Sequence, residues 1–211
     1  MTQTLKNGQC RHHSKGRGQG PSSYWVQEPK LVFDVLDIRP GQHILDMGCG
    51  AGDYTLEAAR LTGPWGQVTA VDHWPPIVDS LKTAAKAAGL SQVQCLTADI
   101  TKPPMPVKQS SMDLCMAFTV LHIFGTENSR KSLFLEAARV LKPKGRLAVM
   151  ECKKEEMSFG PPIHMRLSPE EVEAVAVGCG FRKTGYTDLG YNYLVMFSLS
   201  RTPGATHKQQ P

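Results

Sequence analysis

The sequence predicts an α/β protein built on a doubly wound, mostly parallel sheet. Three observations carry this. Apolar strand-like runs alternate with helical patterns along the chain, without internal repeats. One run, Ile44-Leu45-Asp46, ends in a glycine-rich turn that leads directly into a helical pattern. Two later runs, Gln67–Asp72 and Val93–Ile100, also lead to acids, Asp72 and Asp99. In open sheets of this class, ligands bind in the crevice outside the carboxyl ends of the strands.

A leading helix is expected over Gln27–Leu36. After the first strand, Gly48, Gly50 and Gly52 form the turn into a helix. Glycine tolerates positive φ and leaves no Cβ between backbone and ligand. The helix start adds unpaired N–H groups that favour an anionic group. The spacing differs from the Gly-x-Gly-x-x-Gly of a dinucleotide loop. Counted from Gly48 the sixth residue is Asp53, whose charge repels a pyrophosphate, and counted from Gly50 it is Thr55.

Gln67–Asp72 reads as the second strand. Its terminal Asp72 stands where such folds hold a ribose diol, because a carboxylate accepts two hydroxyl hydrogen bonds. Pro75-Pro76 opens a helix carrying Ile77, Leu81, Ala84, Ala85 and Ala88, and Gly89 ends it. Val93–Ile100 and Ser111–Phe118 are the third and fourth strands. Leu133, Ala137, Val140 and Leu141 share one helical face. The turn Leu141–Gly145 then leads into a fifth strand, Gly145–Glu151.

Ser168-Pro169-Glu170-Glu171 is a capping box, and Val172, Val175, Ala176 and Cys179 mark the buried side of its helix, closed by Gly180. Two last strands, Arg182–Leu189 and Tyr193–Ser200, have no helix between them. Parallel strands need a crossover, so these two form an antiparallel hairpin. The carboxyl-end rule then gathers Asp46, Asp72, Asp99, Phe118 and Glu151 on one rim.

Composition bounds the reading. With 211 residues and 41% hydrophobic content, the chain suits one domain, expected over residues 23–200. Residues 1–22 and 201–211 read as flexible polar tails. No apolar run approaches the ~20 residues of a membrane span, and Met1–Gly20 lacks the hydrophobic centre of a secretory signal. Six scattered cysteines include no Cys-x-x-Cys pair, so neither a zinc nor a redox motif is indicated and a reducing cytoplasm is expected. Cys10, His12 and His13 lack a second ligand pair to fix a metal geometry, so no metal is assigned. The net charge is +5, and Lys6, Arg11, Lys15 and Arg17 have no acid among the first twenty residues. That tail can give weak, non-specific binding to nucleic acid.

Asp46-x-Gly48-x-Gly50-x-Gly52 resembles the first motif of the class I S-adenosylmethionine-dependent methyltransferases, and the resemblance extends over about residues 24 to 200. It implies a Rossmann-like, seven-stranded sheet whose last strand is antiparallel to the others. It implies S-adenosylmethionine as cofactor and S-adenosylhomocysteine as product, with the glycine loop around the amino acid end. Asp72 would hold the ribose, His73 or Trp74 would pack on the adenine, and Asp99 with the backbone of Ile100 would take the adenine amino group. Met116-Ala117-Phe118-Thr119 and Gly160-Pro161-Pro162 resemble a small bacterial branch near the quinone-biosynthesis C-methyltransferases. The longer N-terminal signature of the quinone enzymes is missing. The paired thiols of arsenite methyltransferases are absent too, and Ala117–Val120 is not the Asn/Asp-Pro-Pro-Tyr/Phe motif of amino-methylating enzymes.

The chemistry follows from the cofactor. Its methyl group sits on a sulfonium and needs a nucleophile aligned behind it, and positioning alone can supply up to ~7–11 kcal/mol. A base is needed only where the acceptor must lose a proton. His122, just past the fourth strand, is the first candidate, with Glu151 and Lys153 after the fifth strand. Tyr24, Trp25 and Gly160–His164 could close over the site, with His164 and Tyr191 nearby; alternatively Trp25 anchors the leading helix on the sheet. The favoured function is methyl transfer to a small molecule. The alternatives are an RNA or protein methyltransferase using the basic tail, and a non-catalytic S-adenosylmethionine-binding protein.

Overall fold

The computed structural model describes residues 22–200. The tail readings at both ends, including Cys10, His12 and His13, lie outside the described residues. In chain order the elements are α1 (Pro29–Leu36), β1 (His43–Met47), α2 (Asp53–Thr62), β2 (Gln67–Asp72), α3 (Pro75–Ala87), β3 (Val93–Thr97) and β4 (Met112–Phe118). Then come α4 (Glu127–Val140), β5 (Leu141–Cys152), α5 (Pro169–Gly178), β6 (Phe181–Asp188) and β7 (Asn192–Leu199).

The strands form one sheet in the order β3-β2-β1-β4-β5-β7-β6. β1 pairs in parallel with β2 and β4, as do β2 with β3 and β4 with β5, whereas β7 runs antiparallel to both β5 and β6. This is the doubly wound sheet with a reversed last strand that the sequence predicts. The strand order turns back between β1 and β4, the switch point at which open sheets of this class bind their ligands.

Period-two alternation splits the core between the two faces. Leu114, Met116 and Phe118 of β4 join residues of α1 and α2, including Leu36, Tyr54 and Ala58. Cys115 and Ala117 of the same strand join Phe134 and Ala137 of α4 and Val172 and Ala176 of α5. Each fully buried aliphatic side chain contributes about 1.5–3 kcal/mol of transfer free energy.

Several boundaries differ from the sequence reading. α1 starts at Pro29 rather than Gln27, because proline is accepted at the first helical position and fixes the start there. α3 buries Val78, Leu81 and Ala85, while Ala84 and Ala88 are exposed. The supposed turn at Leu141–Gly145 is strand: β5 begins at Leu141, and a register shift against β4 between Met112 and Leu114 absorbs the extra residues. β3 stops at Thr97, so Asp99 lies in the loop beyond it. The capping box forms as expected, with Glu171 N–H donating to Ser168 Oγ at 3.3 Å and Ser168 N–H donating to Glu171 Oε2 at 2.7 Å.

Candidate functional site

The turn after β1 is held to β2 by its backbone. Gly48 and Cys49 N–H both donate to the Val71 carbonyl, at 2.8 and 3.0 Å. Gly48 has φ +81°, and a Cβ there would lie 2.5 Å from Val120 Cγ1, so both conformation and packing demand glycine. Ile100, which also reaches this point, is buried and serves as a wall. Gly50 has φ +51° with nothing within 4 Å of its Cβ direction, which leaves the loop open to an approaching ligand. Gly52 caps α2.

The three acids occupy different depths. Asp46 is buried in β1, where its Oδ2 accepts the Thr55 hydroxyl at 2.6 Å. Burial pushes its carboxyl up to about 6, against the Thr55 hydrogen bond and with a smaller contribution from Asp72. Asp46 therefore lies beneath the loop. Asp72 accepts the Gly50 N–H on Oδ2 and the Trp74 N–H on Oδ1, both at 3.1 Å. It ties the glycine loop to the end of β2, and each oxygen retains a lone pair for a hydroxyl. His73 is mostly solvent-exposed, with Nδ1 3.4 Å from Asp72 Oδ1. Asp99 Oδ1 accepts the backbone N–H and hydroxyl of Thr101, at 2.9 and 2.6 Å, and these bonds hold its carboxyl below the usual range. Its Oδ2 lies 3.4 Å from Lys102.

The other half of the rim is built after β4 and β5. Phe118 ends β4 with its ring against Tyr54 (centroids 4.9 Å apart). Thr119 follows at φ +53°, which is strained for a β-branched residue. Its N–H donates to the Met150 carbonyl at 2.7 Å. A 3₁₀ turn, Leu121–Ile123, comes next. Glu151 is completely buried beneath it: Oε1 accepts the Leu121 N–H at 2.6 Å, and Oε2 lies 3.1 Å from His122 Nδ1. With Nδ1 protonated, the carboxylate fixes the tautomer and leaves Nε2 as a hydrogen-bond acceptor. The two residues named as separate candidates therefore form one carboxylate–imidazole pair.

Sequence reasoning missed three contributors. Gln27 donates to the Tyr54 hydroxyl at 2.7 Å and accepts from Asn192 at 2.8 Å, which ties the leading segment to α2 and β7. Trp25 is 73% exposed, so it is not the anchor of that segment. Arg166 is buried inside the loop after β5, where the sequence reads only as one more basic residue. Thr119 was read only as the end of the Met116–Thr119 stretch, with nothing in it to announce a positive φ. Lys153 is paired with Asp188 and Lys154 with Glu171. His164 is exposed within a 3₁₀ turn. Tyr191 is half-exposed and meets Phe159 edge-on at 4.8 Å. Surface depressions lined by His43, Gln67 and Gln94 lie at the amino ends of the strands, on the rim opposite these groups. Among the described residues no cluster of three potential ligands could hold a metal ion.

Residues 45–149 match the model of a methyltransferase domain family. The chain is 32% identical over 130 residues to a ubiquinone/menaquinone biosynthesis C-methyltransferase of Ectopseudomonas mendocina, covering 59% of this chain and 47% of that protein. It is 31% identical over 120 residues to the nocamycin O-methyltransferase of Saccharothrix syringae, covering 57% and 41%. The chain spans about half the length of the curated relatives it matches. A crystal structure of a SAM-dependent methyltransferase from Aquifex aeolicus superposes with a TM-score of 0.76 at 27% identity, over 84% of this chain and 93% of that one. The [4+2]-cyclase SpnF superposes with a TM-score of 0.70 at 19% identity, over 90% and 88%, a likeness of fold alone.

Proposed function

Because the chain belongs to the S-adenosylmethionine-dependent methyltransferases, we propose that it transfers the cofactor's methyl group in line to a small-molecule acceptor that gives up a proton. The cofactor brings an activated methyl group on a sulfonium, and the protein aligns and desolvates it. Gly48, Gly50 and Gly52 would wrap the amino acid end, above the buried Asp46. Asp72 would take the ribose hydroxyls on its free lone pairs, His73 and Phe118 would flank the nucleoside, and Asp99 with Ile100 would border the adenine. Three acids on this half, Asp46, Asp72 and Asp99, suit a ligand carrying an ammonium and a sulfonium.

The observation that carries the acceptor reading is the His122–Glu151 pair at the ends of β4 and β5. A buried carboxylate that fixes the tautomer makes His122 a competent general base for an acidic O–H or C–H. The two relatives bear the names of a C-methyltransferase and an O-methyltransferase, which supports carbon or oxygen as the acceptor atom. Fold alone would not support methyl transfer, since a [4+2]-cyclase shares it. Free cysteines at 49, 95, 115, 152 and 179 fit a reducing cytoplasm. Among the described residues no helix is long and apolar enough to cross a membrane.

The test is transfer of labelled methyl from S-adenosylmethionine into a panel of phenols and enols, beside a mixed RNA pool. Incorporation into a phenol or enol that collapses in His122→Gln is expected. Incorporation into RNA would support the alternative, a nucleic-acid methyltransferase using residues 1–22. Tight cofactor binding without turnover on any acceptor would favour a non-catalytic binder.

A further inference from the structure

The segment between β5 and α5 leaves the sheet directly after Cys152, the residue following Glu151, and returns to Ser168, the N-cap of α5. A connection of this kind normally orders itself through its own side chains. Here one of them, the cation Arg166, does so from inside. Arg166 is 4% exposed. Its Nε donates to the Pro161 carbonyl at 2.7 Å, Nη1 to Lys153 at 3.2 Å and Glu155 at 2.7 Å, and Nη2 to Phe159 at 2.8 Å. Two of these carbonyls lie on the outgoing limb and two on the returning limb. Among the described residues no carboxylate forms an ion pair with Arg166, so the charge is met by carbonyl dipoles. Only a planar, multi-donor fork serves both limbs at once.

The loop around the fork is equally fixed. Gly160 has φ +88°, and its Cβ direction meets Cys152 Sγ at 3.4 Å and Arg166 Nη2 at 3.5 Å. Phe159 packs edge-on against Tyr191, whose carbonyl accepts the Lys153 N–H at 3.0 Å. The Tyr193 hydroxyl donates to the Leu167 carbonyl at 2.7 Å. From its place over the carboxyl rim this segment was read as one that could close over the site. Its backbone is bound internally through the Arg166 fork.

We propose that Arg166 is the positioning residue of the acceptor side: its guanidinium holds residues 153–162 as a preformed wall next to Glu151, so this wall does not close over the cofactor. The proposal rests on the acceptor reading above for its meaning, but its test does not. Hydrogen exchange is followed in the intact protein with and without S-adenosylhomocysteine. In the parent, exchange in 153–162 is slow already and changes by less than about twofold on binding, whereas the glycine loop slows strongly. Slowing of about tenfold or more in 153–162 on binding would make the segment a lid and overturn the proposal.

Arg166→Lys supplies one point charge in place of the fork, so exchange in 153–162 rises about tenfold or more while α4 and β1 stay protected. Arg166→Ala behaves alike and recovers protection when methylguanidinium is added, a response that lost packing alone would not give. Unchanged exchange in Arg166→Lys, or no recovery with methylguanidinium, overturns the role. With a phenol that the parent methylates, Arg166→Lys raises the acceptor KM about tenfold and leaves the S-adenosylmethionine KM within about twofold. An equal rise in both constants would also overturn it. Failure of the parent to bind S-adenosylhomocysteine would instead refute the cofactor reading, and the exchange measured without ligand would still decide the role of Arg166.

Discussion

Replacing Asp46 with Asn separates the electrostatic role of this acid from its structural one. Asp46 is completely enclosed in β1, and burial lifts its carboxyl from the ordinary 3.8 to about 6. The sign of the effect follows. Below about pH 4 the group is protonated in both folded and unfolded chains and costs nothing. Between about pH 4 and pH 6 the unfolded chain releases the proton while the folded chain keeps it, so stability falls as pH rises. Above about pH 6 the full cost is present, about 3 kcal/mol at 1.36 kcal/mol for each pH unit.

The amide keeps an oxygen for the Thr55 hydroxyl, which donates at 2.6 Å. It adds an NH₂ group that must be buried, which costs about 1–2 kcal/mol. Asp46→Asn is therefore about 1–2 kcal/mol more stable than the parent at pH 7.5, and loses that advantage at pH 4.5. Urea denaturation at several pH values measures both curves. The variant binds S-adenosylmethionine about tenfold more weakly by calorimetry, because a negative charge near a cationic ligand is gone. A stability difference that stays constant from pH 4.5 to 7.5 would refute this account, since it would show that the carboxyl does not change its protonation preference on folding.

Three further outcomes follow from the same geometry. Asp72→Ala removes the acceptor for two backbone N–H groups and the expected ribose contact, so S-adenosylhomocysteine affinity drops by about 1.5–3 kcal/mol while the far-ultraviolet spectrum stays native; unchanged calorimetric affinity would exclude the ribose role. Thr119→Gly relieves the φ +53° strain, so the melting temperature rises, with a gain of about 1 kcal/mol, while turnover falls because the rim after β4 loosens; a fall in melting temperature would show that the side chain matters more than the strain. Glu151→Gln keeps an acceptor for the Leu121 N–H but weakens the hold on the His122 tautomer, so kcat falls about 10²-fold with the cofactor affinity preserved; an unchanged kcat would remove the pair from the chemistry.

The geometry of the glycine turn, the candidate cofactor half of the site, was legible because its determinants are local. A strand, a turn with glycine at alternate positions and a helix start lie within one short stretch, and their geometry is fixed by positive φ and by the reach of single hydrogen bonds. Asp72 could be placed for the same reason, being the last residue of a strand. Asp99 shows the limit of that logic: with β3 ending at Thr97, its carboxylate first serves Thr101, as a local turn residue does. The β5 boundary was misread because Lys142-Pro143-Lys144-Gly145 has turn composition, yet a register shift lets it continue the strand.

The proposed acceptor half was illegible where it depends on partners far apart in the chain. Gln27 and Asn192 are 165 residues apart and meet because β7 inserts next to β5. His122 and Glu151 were visible separately, but their pairing requires β4 and β5 to be neighbours in parallel register. Arg166 is the extreme case: a buried arginine whose partners are carbonyls leaves no complementary acid in the sequence to be read. The two halves thus differ in the physical origin of their order. The glycine loop is set by backbone conformational preference, which a short stretch of sequence encodes. The wall proposed beside Glu151 is set by satisfying buried charge and amide groups across the fold, so on that proposal it can be rebuilt for another acceptor without disturbing the glycine loop.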